Sequence, residues 1–509
     1  MTRTLVPRSH PEALQQFTWD APWDLFDGDR HRLNLAHECV DRHPADATAL
    51  RIQFADGRRA EWRFGDLQAW SSRFANFLEA EGIAAGDRVG IMLEPSLMFY
   101  AALFGTLKRG AVAVPLFTLF GPDALSRRLH DCRPRLLLVG GDAERWSATC
   151  PDVSIIATDA LAARLAGQSD RYTPDTAADE LAVLQYTSGT TRELPEAVPH
   201  THRSVVTLMV AAFYGLGLRP GDRYFCPSSP AWGHGLWHGT IAPLALGIAA
   251  GAYAGRFDVQ RLLEALAAFE ITNVAAAVTV YRMIRIAGLA ERYRLRLEKI
   301  SFTGEPMDSR TFEFIERTWG VRPCGMYGST EVGVIIVNYP GFAGYEVRPG
   351  ALGQAAPGWE VAIVDGAGRP VARGQPGEIA VRRKGGWFLV KDRGWQDADG
   401  YFHHAGRSDD AIISAGWTMS AVEIEDALLM HPRVREAAVI GVPDELRGQV
   451  PKAYLVVDGP GPGLESELQE FVQSRLGFHE YPRHVKFVDE LPKTAAGKVD
   501  RKALRDRAP

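Results

Sequence analysis

The chain has 509 residues, 46% hydrophobic and 23% charged, with a formal net charge of −5. That length and ordinary globular composition predict two or more domains. The mild acidity excludes a global basic footprint, so nucleic acid is not an expected partner. Five scattered cysteines without a CxxC exclude a disulfide framework and point to a cytoplasmic setting.

From the N-terminus, MTRTLVPRSHPEALQQ lacks the apolar run of a secretory signal. Residues 87–93 (DRVGIML) read as a strand, 96–110 as a helix closed by Gly110, and 111–116 (AVAVPL) as the next strand. RPRLLLVG at 133–140 and VSIIAT at 153–158 continue the alternation. Strands alternating with helices predict βαβ units and a parallel-rich sheet. LAVLQYTSGTT is an apolar strand running into a Ser/Thr/Gly loop, and 257–278 reads as helix, turn and strand. The Gly/Ala-rich stretch 236–255 carries His238 and Pro243 and reads as core, not as a membrane span. After about residue 345, short strands separated by Gly and Pro (WEVAIVD, PGEIAVRR) suggest a β-rich subdomain. From Ala421 onward, helix, strand, strand and helix suggest a separate α+β domain. The predicted fold is α/β. It has a large N-terminal domain at 1–406 and a small C-terminal domain at 407–509.

The loop Thr187-Ser188-Gly189-Thr190-Thr191 follows its strand directly. Hydroxyls and backbone N–H groups in such a loop can cradle phosphate oxygens, and glycine allows close approach. It is not a Walker loop, since GxxxxGK[ST] is absent. Taken alone, the loop also reads as a plain surface turn. Further along come Gly304-Glu305-Pro306, Met326-Tyr327-Gly328-Ser329-Thr330-Glu331, Asp392, GRSDD at 406–410 and PKTAAGK ending in Lys498. In this order the segments resemble the adenylate-forming superfamily: acyl- and aryl-CoA synthetases, peptide-synthetase adenylation domains and luciferases. The resemblance runs from about residue 30 to the end and is nearest to acyl-CoA synthetases.

The resemblance implies a reaction in which an acid carboxylate joins the α-phosphorus of ATP and pyrophosphate leaves. It implies ATP, Mg²⁺ and coenzyme A as cofactors. Lys498 would bridge carboxylate and α-phosphate, Thr330 would contact that phosphate, and Glu331 would hold the metal. Residues 187–191 would cradle phosphates. Gly304, Glu305, Pro306, Met326, Tyr327 and Gly328 would surround adenine, while Asp392 and Arg407 would hold the ribose. Asp409 would be the hinge of a mobile C-terminal domain with two orientations. In the second, Ser414, Ala415, Gly416 and Trp417 would line the coenzyme A channel. Trp232, His234, Gly235, Trp237 and Gly328 would form the acyl pocket. Acetyl- and propionyl-CoA synthetases carry a bulky Trp at the position of Gly328. The glycine therefore implies an acid larger than propionate: medium-chain, branched, aryl or polycyclic. His200 and His202 read as structural.

The chain departs from the family pattern beside the phosphate loop. Arg192-Glu193 replaces the usual glycine, and Glu196 replaces the usual lysine. Val390-Lys391 precedes Asp392 where the family has Thr-Gly, and Thr418 stands where many members have Arg. Alternatives to a CoA ligase are an enzyme that hands its acyl-adenylate to a carrier protein, and a degenerate nucleotide-binding member. A homodimer is compatible with the resemblance.

Overall fold

The computed structural model describes residues 7, 9–141, 143–147, 153–186, 197–304, 307, 309–329, 331–407, 412–419, 421–492, 499 and 501–506, with the backbone alone at 405–407, 418, 422 and 502. Local sequence signals set the first elements. Ser96 adopts extended backbone and its side chain accepts from the Phe99 N–H, starting the helix Leu97–Lys108. Asp258 caps Val259–Ala268 in the same way. Helix Leu97–Lys108 is apolar nearly all round, and it is buried against Phe64–Ala80. Its last residue, Lys108, is buried, and its ammonium meets Asp41 at 2.6 Å and the Ser72 hydroxyl at 2.9 Å.

The strands Ser154–Ala157, Leu136–Val139, Arg88–Met92, Val112–Pro115 and Leu181–Tyr186 lie side by side in parallel, as the alternating pattern predicts. Ala197–Thr201 closes this sheet antiparallel to Leu181–Tyr186. A ten-stranded sheet carries the second half of the fold. In it Tyr224–Phe225, Asn273–Ala277, Lys299–Thr303 and Cys324–Ser329 are parallel. The sheet continues antiparallel through Gly333–Val337, and the β-rich stretch expected after residue 345 extends it through Ala351–Ala355 and Phe402–Arg407. The stretch 236–255 is buried core, and no helix among the described residues is long and apolar enough to cross a membrane.

The last hundred residues form their own sheet, flanked by helices Ala421–Leu429 and Leu464–Arg475. This unit docks on helix Pro122–Cys132 and the loop before it. The Gly121 N–H donates to the Leu476 carbonyl at 2.9 Å, and Arg475 meets Asp123 at 2.6 Å. The Trp417 ring packs between Phe117 and His479, at 4.3 and 4.2 Å. At the centre of this face Arg128 pairs with Glu423 at 3.3 Å, with both side chains at most 2% exposed. The Arg128 guanidinium also lies over the Phe120 ring. Glu480 is buried beside this pair. Desolvation first, then repulsion from Glu423, push its carboxyl up to about 8 against the attraction of Arg128 and Arg127.

Arg128→Ala would remove the buried cation that Glu423 meets at 3.3 Å, a change that costs about 3–5 kcal/mol. The check is a thermal melt together with limited proteolysis between the two units. Because the Glu480 pKa is raised from 4.5 to about 8, its contribution to docking is complete below pH 4.5 and is lost as pH rises to about 8. Glu480→Gln should flatten that dependence in melts taken across the same range.

Candidate active site

A cavity of about 510 Å³ opens where the two large sheets and the C-terminal unit meet. One pole is built by the sheet around Tyr327. The Tyr327 hydroxyl donates to Asp392 Oδ2 at 2.7 Å, and Asp392 is 7% exposed. His404 Nε2 lies 3.5 Å from the other carboxylate oxygen. Strand pairing puts Asp392 opposite Arg407, so the two residues expected at the ribose share a register. Met326 and Gly304 line the same pole, and the Met326 carbonyl accepts from the Thr303 hydroxyl at 3.0 Å. Glu331 also lines the cavity, and Arg383 donates to its backbone carbonyl.

The other pole is built by helical turns wider than an α-helix. At Ala211–Gly215 and His234–Ile241 the chain bonds five residues back, as in Leu216 N–H to the Ala211 carbonyl. Trp232, His234 and Trp237 line the cavity. Gly235 does not. A Cβ there would lie 2.1 Å from the Ser229 carbonyl oxygen, so its glycine serves packing behind the wall. Gly328 lines the cavity, but a Cβ on it would lie 1.8 Å from the Gly333 carbonyl. The close approach of Gly333–Val337 therefore demands glycine before pocket size enters.

Of the residues expected at the coenzyme A channel, Gly416 reaches this cavity. It has φ +78°, its Cα lies 3.1 Å from where a Gly304 Cβ would sit, and its own Cβ would meet Ala277 at 3.0 Å. Ser414 is buried, Ala415 takes a left-handed φ of 55°, and the Trp417 ring belongs to the docking face. Thr187, Ser188, Gly189, Thr190, Thr191, Glu305, Pro306, Thr330, Asp409 and Lys498 lie outside the described residues, as do Arg192, Glu193 and Glu196.

His202 is structural, as expected: its Nδ1 accepts from the Leu35 N–H at 3.1 Å inside the core. His200 differs from expectation, because it lines the cavity with its ring 4.7 Å from that of Trp237. Gln185, His238 and His404 also line it and were not anticipated. Gln185 left a trace, being polar within an otherwise apolar strand. His238 repeats His234 one helical turn on. Burial lowers the His200 and His238 imidazoles to about 4 and holds that of His234 well below its ordinary value, so all three are neutral at pH 7.

The family model for AMP-binding enzymes matches residues 36–387, and that for the AMP-binding enzyme C-terminal domain matches 423–498. Acetyl-coenzyme A synthetase of Bacillus subtilis (strain 168) is 30% identical, over 98% of this chain and 95% of its own. The structure of Brucella canis acyl-CoA synthetase is similar at a TM-score of 0.75 and 30% identity, covering 98% of each chain. The anthranilate CoA ligase AuaEII, solved with anthranoyl-AMP, gives 0.70 at 28% identity over 95% of this chain and 98% of that one. The chain belongs to the AMP-binding, adenylate-forming enzyme family, close to the acyl-CoA synthetases. It is an AMP-forming acid–CoA ligase whose substrates are a carboxylic acid, ATP and coenzyme A.

Gly328→Ala should destabilise the fold by about 1–3 kcal/mol, the usual range for overpacking. Calorimetry on the ligand-free protein reads this separately from any change in acid preference.

Proposed function

We propose that the cavity activates an acid larger than propionate, with a medium-chain, branched, aryl or polycyclic body. The observation that carries this is the size and lining of the cavity. Its volume is about 510 Å³, and Trp232, Trp237, Trp359, Leu208 and Ala211 are among the residues that line it. This support replaces Gly328, whose small size has its own cause.

The acid carboxylate attacks the α-phosphorus, a P–O bond forms, and the bond to pyrophosphate breaks. Coenzyme A sulfur then attacks the acyl carbonyl and AMP leaves. Two anions must meet in the first step, so positive charge and positioning dominate. Lys498 supplies the charge between carboxylate and phosphate, with Thr330 on the α-phosphate and residues 187–191 cradling the rest. Arg192 substitutes for the lysine missing at Glu196. Tyr327 and Gly304 border adenine, and Asp392 and Arg407 hold the ribose. A lone carboxylate beside phosphates suits Mg²⁺, which keeps its waters and takes one or two carboxylates. Glu331 fits that role, and among the described residues no cluster of three or more ligand side chains competes with it. When bound, the ion would screen phosphate charge.

Residues 1–406 and 407–509 act as the two domains, and Asp409 is the hinge between them. The packing of Gly416 against Gly304 and Ala277 supports the thioester-forming orientation, with 414–417 beside the coenzyme A path. The enzyme works in the cytoplasm. A carrier protein as acceptor and a homodimer are further proposals consistent with the family.

Acid-dependent ATP–pyrophosphate exchange across a panel of acids from acetate to aryl acids tests the reading. Exchange should peak above propionate in size, and a preference for acetate or propionate would overturn the size reading. Lys498→Ala should lower exchange by on the order of a hundredfold. Gly416→Ala should lower acyl-CoA formation more than exchange, measured on the same preparation.

A further inference from the structure

The acyl wall holds polar atoms that the reaction does not use. Trp237 Nε1–H donates to Gln185 Oε1 at 2.9 Å. Indole nitrogen is only a donor, so this bond fixes the amide orientation and leaves Gln185 Nε2 as the group without a partner. Gln185 is 1% exposed. His234 Nδ1 lies 3.0 Å from the Ser228 hydroxyl, while its Nε2 is buried and unpartnered, and the residue is 3% exposed. His200 Nε2 and His238 Nδ1 are also buried without a partner. Gln185, His200, His234, Trp237 and His238 all line the cavity.

A buried polar group left unsatisfied destabilises the fold, and native interiors rarely keep several together. A pocket for a plain alkyl or aryl acid would be lined by carbon at these positions. The charges nearby are engaged elsewhere. Arg348 is paired with Asp399 at 2.8 Å, and Arg383 donates to the Glu331 carbonyl. Glu331 and Asp392 belong to the nucleotide pole. The acyl wall therefore offers a carboxamide and neutral imidazoles, which suit neither a second carboxylate nor an ammonium.

We propose that the acid activated here carries an uncharged oxygen function on its acyl body, a hydroxyl or a ketone, bound by Gln185 and the histidines at 200, 234 and 238. This rests on the ligase reading above and narrows its substrate class.

The test is ATP–pyrophosphate exchange with matched acids: benzoate against the 2-, 3- and 4-hydroxybenzoates, and hexanoate against its 3- to 6-hydroxy and 5-oxo derivatives. At least one oxygenated acid should exceed its parent in kcat/KM by on the order of a hundredfold, as sites built around a hydroxyl discriminate strongly. Gln185→Leu and His238→Leu should each bring that ratio toward one, mainly through the oxygenated acid. Parents preferred throughout would overturn the proposal while leaving the ligase reading intact. A ratio unmoved in both variants would also overturn it, assigning these atoms to the reacting carboxylate or to the fold. A melt of each variant shows whether it is folded. No exchange with any acid would overturn the ligase reading, and the proposal with it.

Discussion

The arrangement of the site depends on the buried ion pair between Arg128 and Glu423. Both charges have left water, so the pair contributes little net stability against an apolar substitute. What it supplies is registry. A charge buried with its partner tolerates few relative positions of the two surfaces, and misalignment leaves an uncompensated ion. That constraint, with the Phe117–Trp417–His479 ring contacts, holds the C-terminal unit where Gly416 meets Gly304. The cavity is closed on that side by a loop that belongs to another sheet.

The two poles of the cavity are made differently. The pole around Tyr327 comes from strand register: Tyr327, Asp392 and the backbone of Arg407 are neighbours because their strands pair. Its geometry is fixed by ladder hydrogen bonds and would survive many changes of side chain. The opposite pole comes from helical turns and a strand end, where identity matters more. Its neutral imidazoles stay uncharged because burial disfavours the cation.

Much of this was legible in the sequence. The parallel sheet followed from apolar runs alternating with amphipathic segments, because a strand covered on both faces must be apolar throughout. The C-terminal elements follow the predicted order of helix, strand, strand and helix for the same reason of period. The juxtaposition of Asp392 and Arg407 was legible through the family's motifs. The wall opposite them was only half visible. Trp232, His234 and Trp237 stood out as large residues in a short segment. His200 and Gln185 lie on two strands paired with each other, outside that segment in sequence, and only the tertiary fold brings both against Trp237. Gly328 taught the opposite lesson. A small residue in a pocket suggested room, yet the backbone of a neighbouring strand occupies the space its side chain would take. Sequence shows which residue is small, but not what lies across from it.

The widened turns at Ala211–Gly215 and His234–Ile241 have an evolutionary consequence. Such a turn holds one residue more than an α-helix does over the same span. Deleting that residue would restore the ordinary helix while the residues beyond it keep their places. Only the side chains inside the turn would change the direction in which they face. The cavity wall at His234–Ile241 can thus be redrawn by one codon lost or gained, without displacing the helix that follows or the strands around Tyr327.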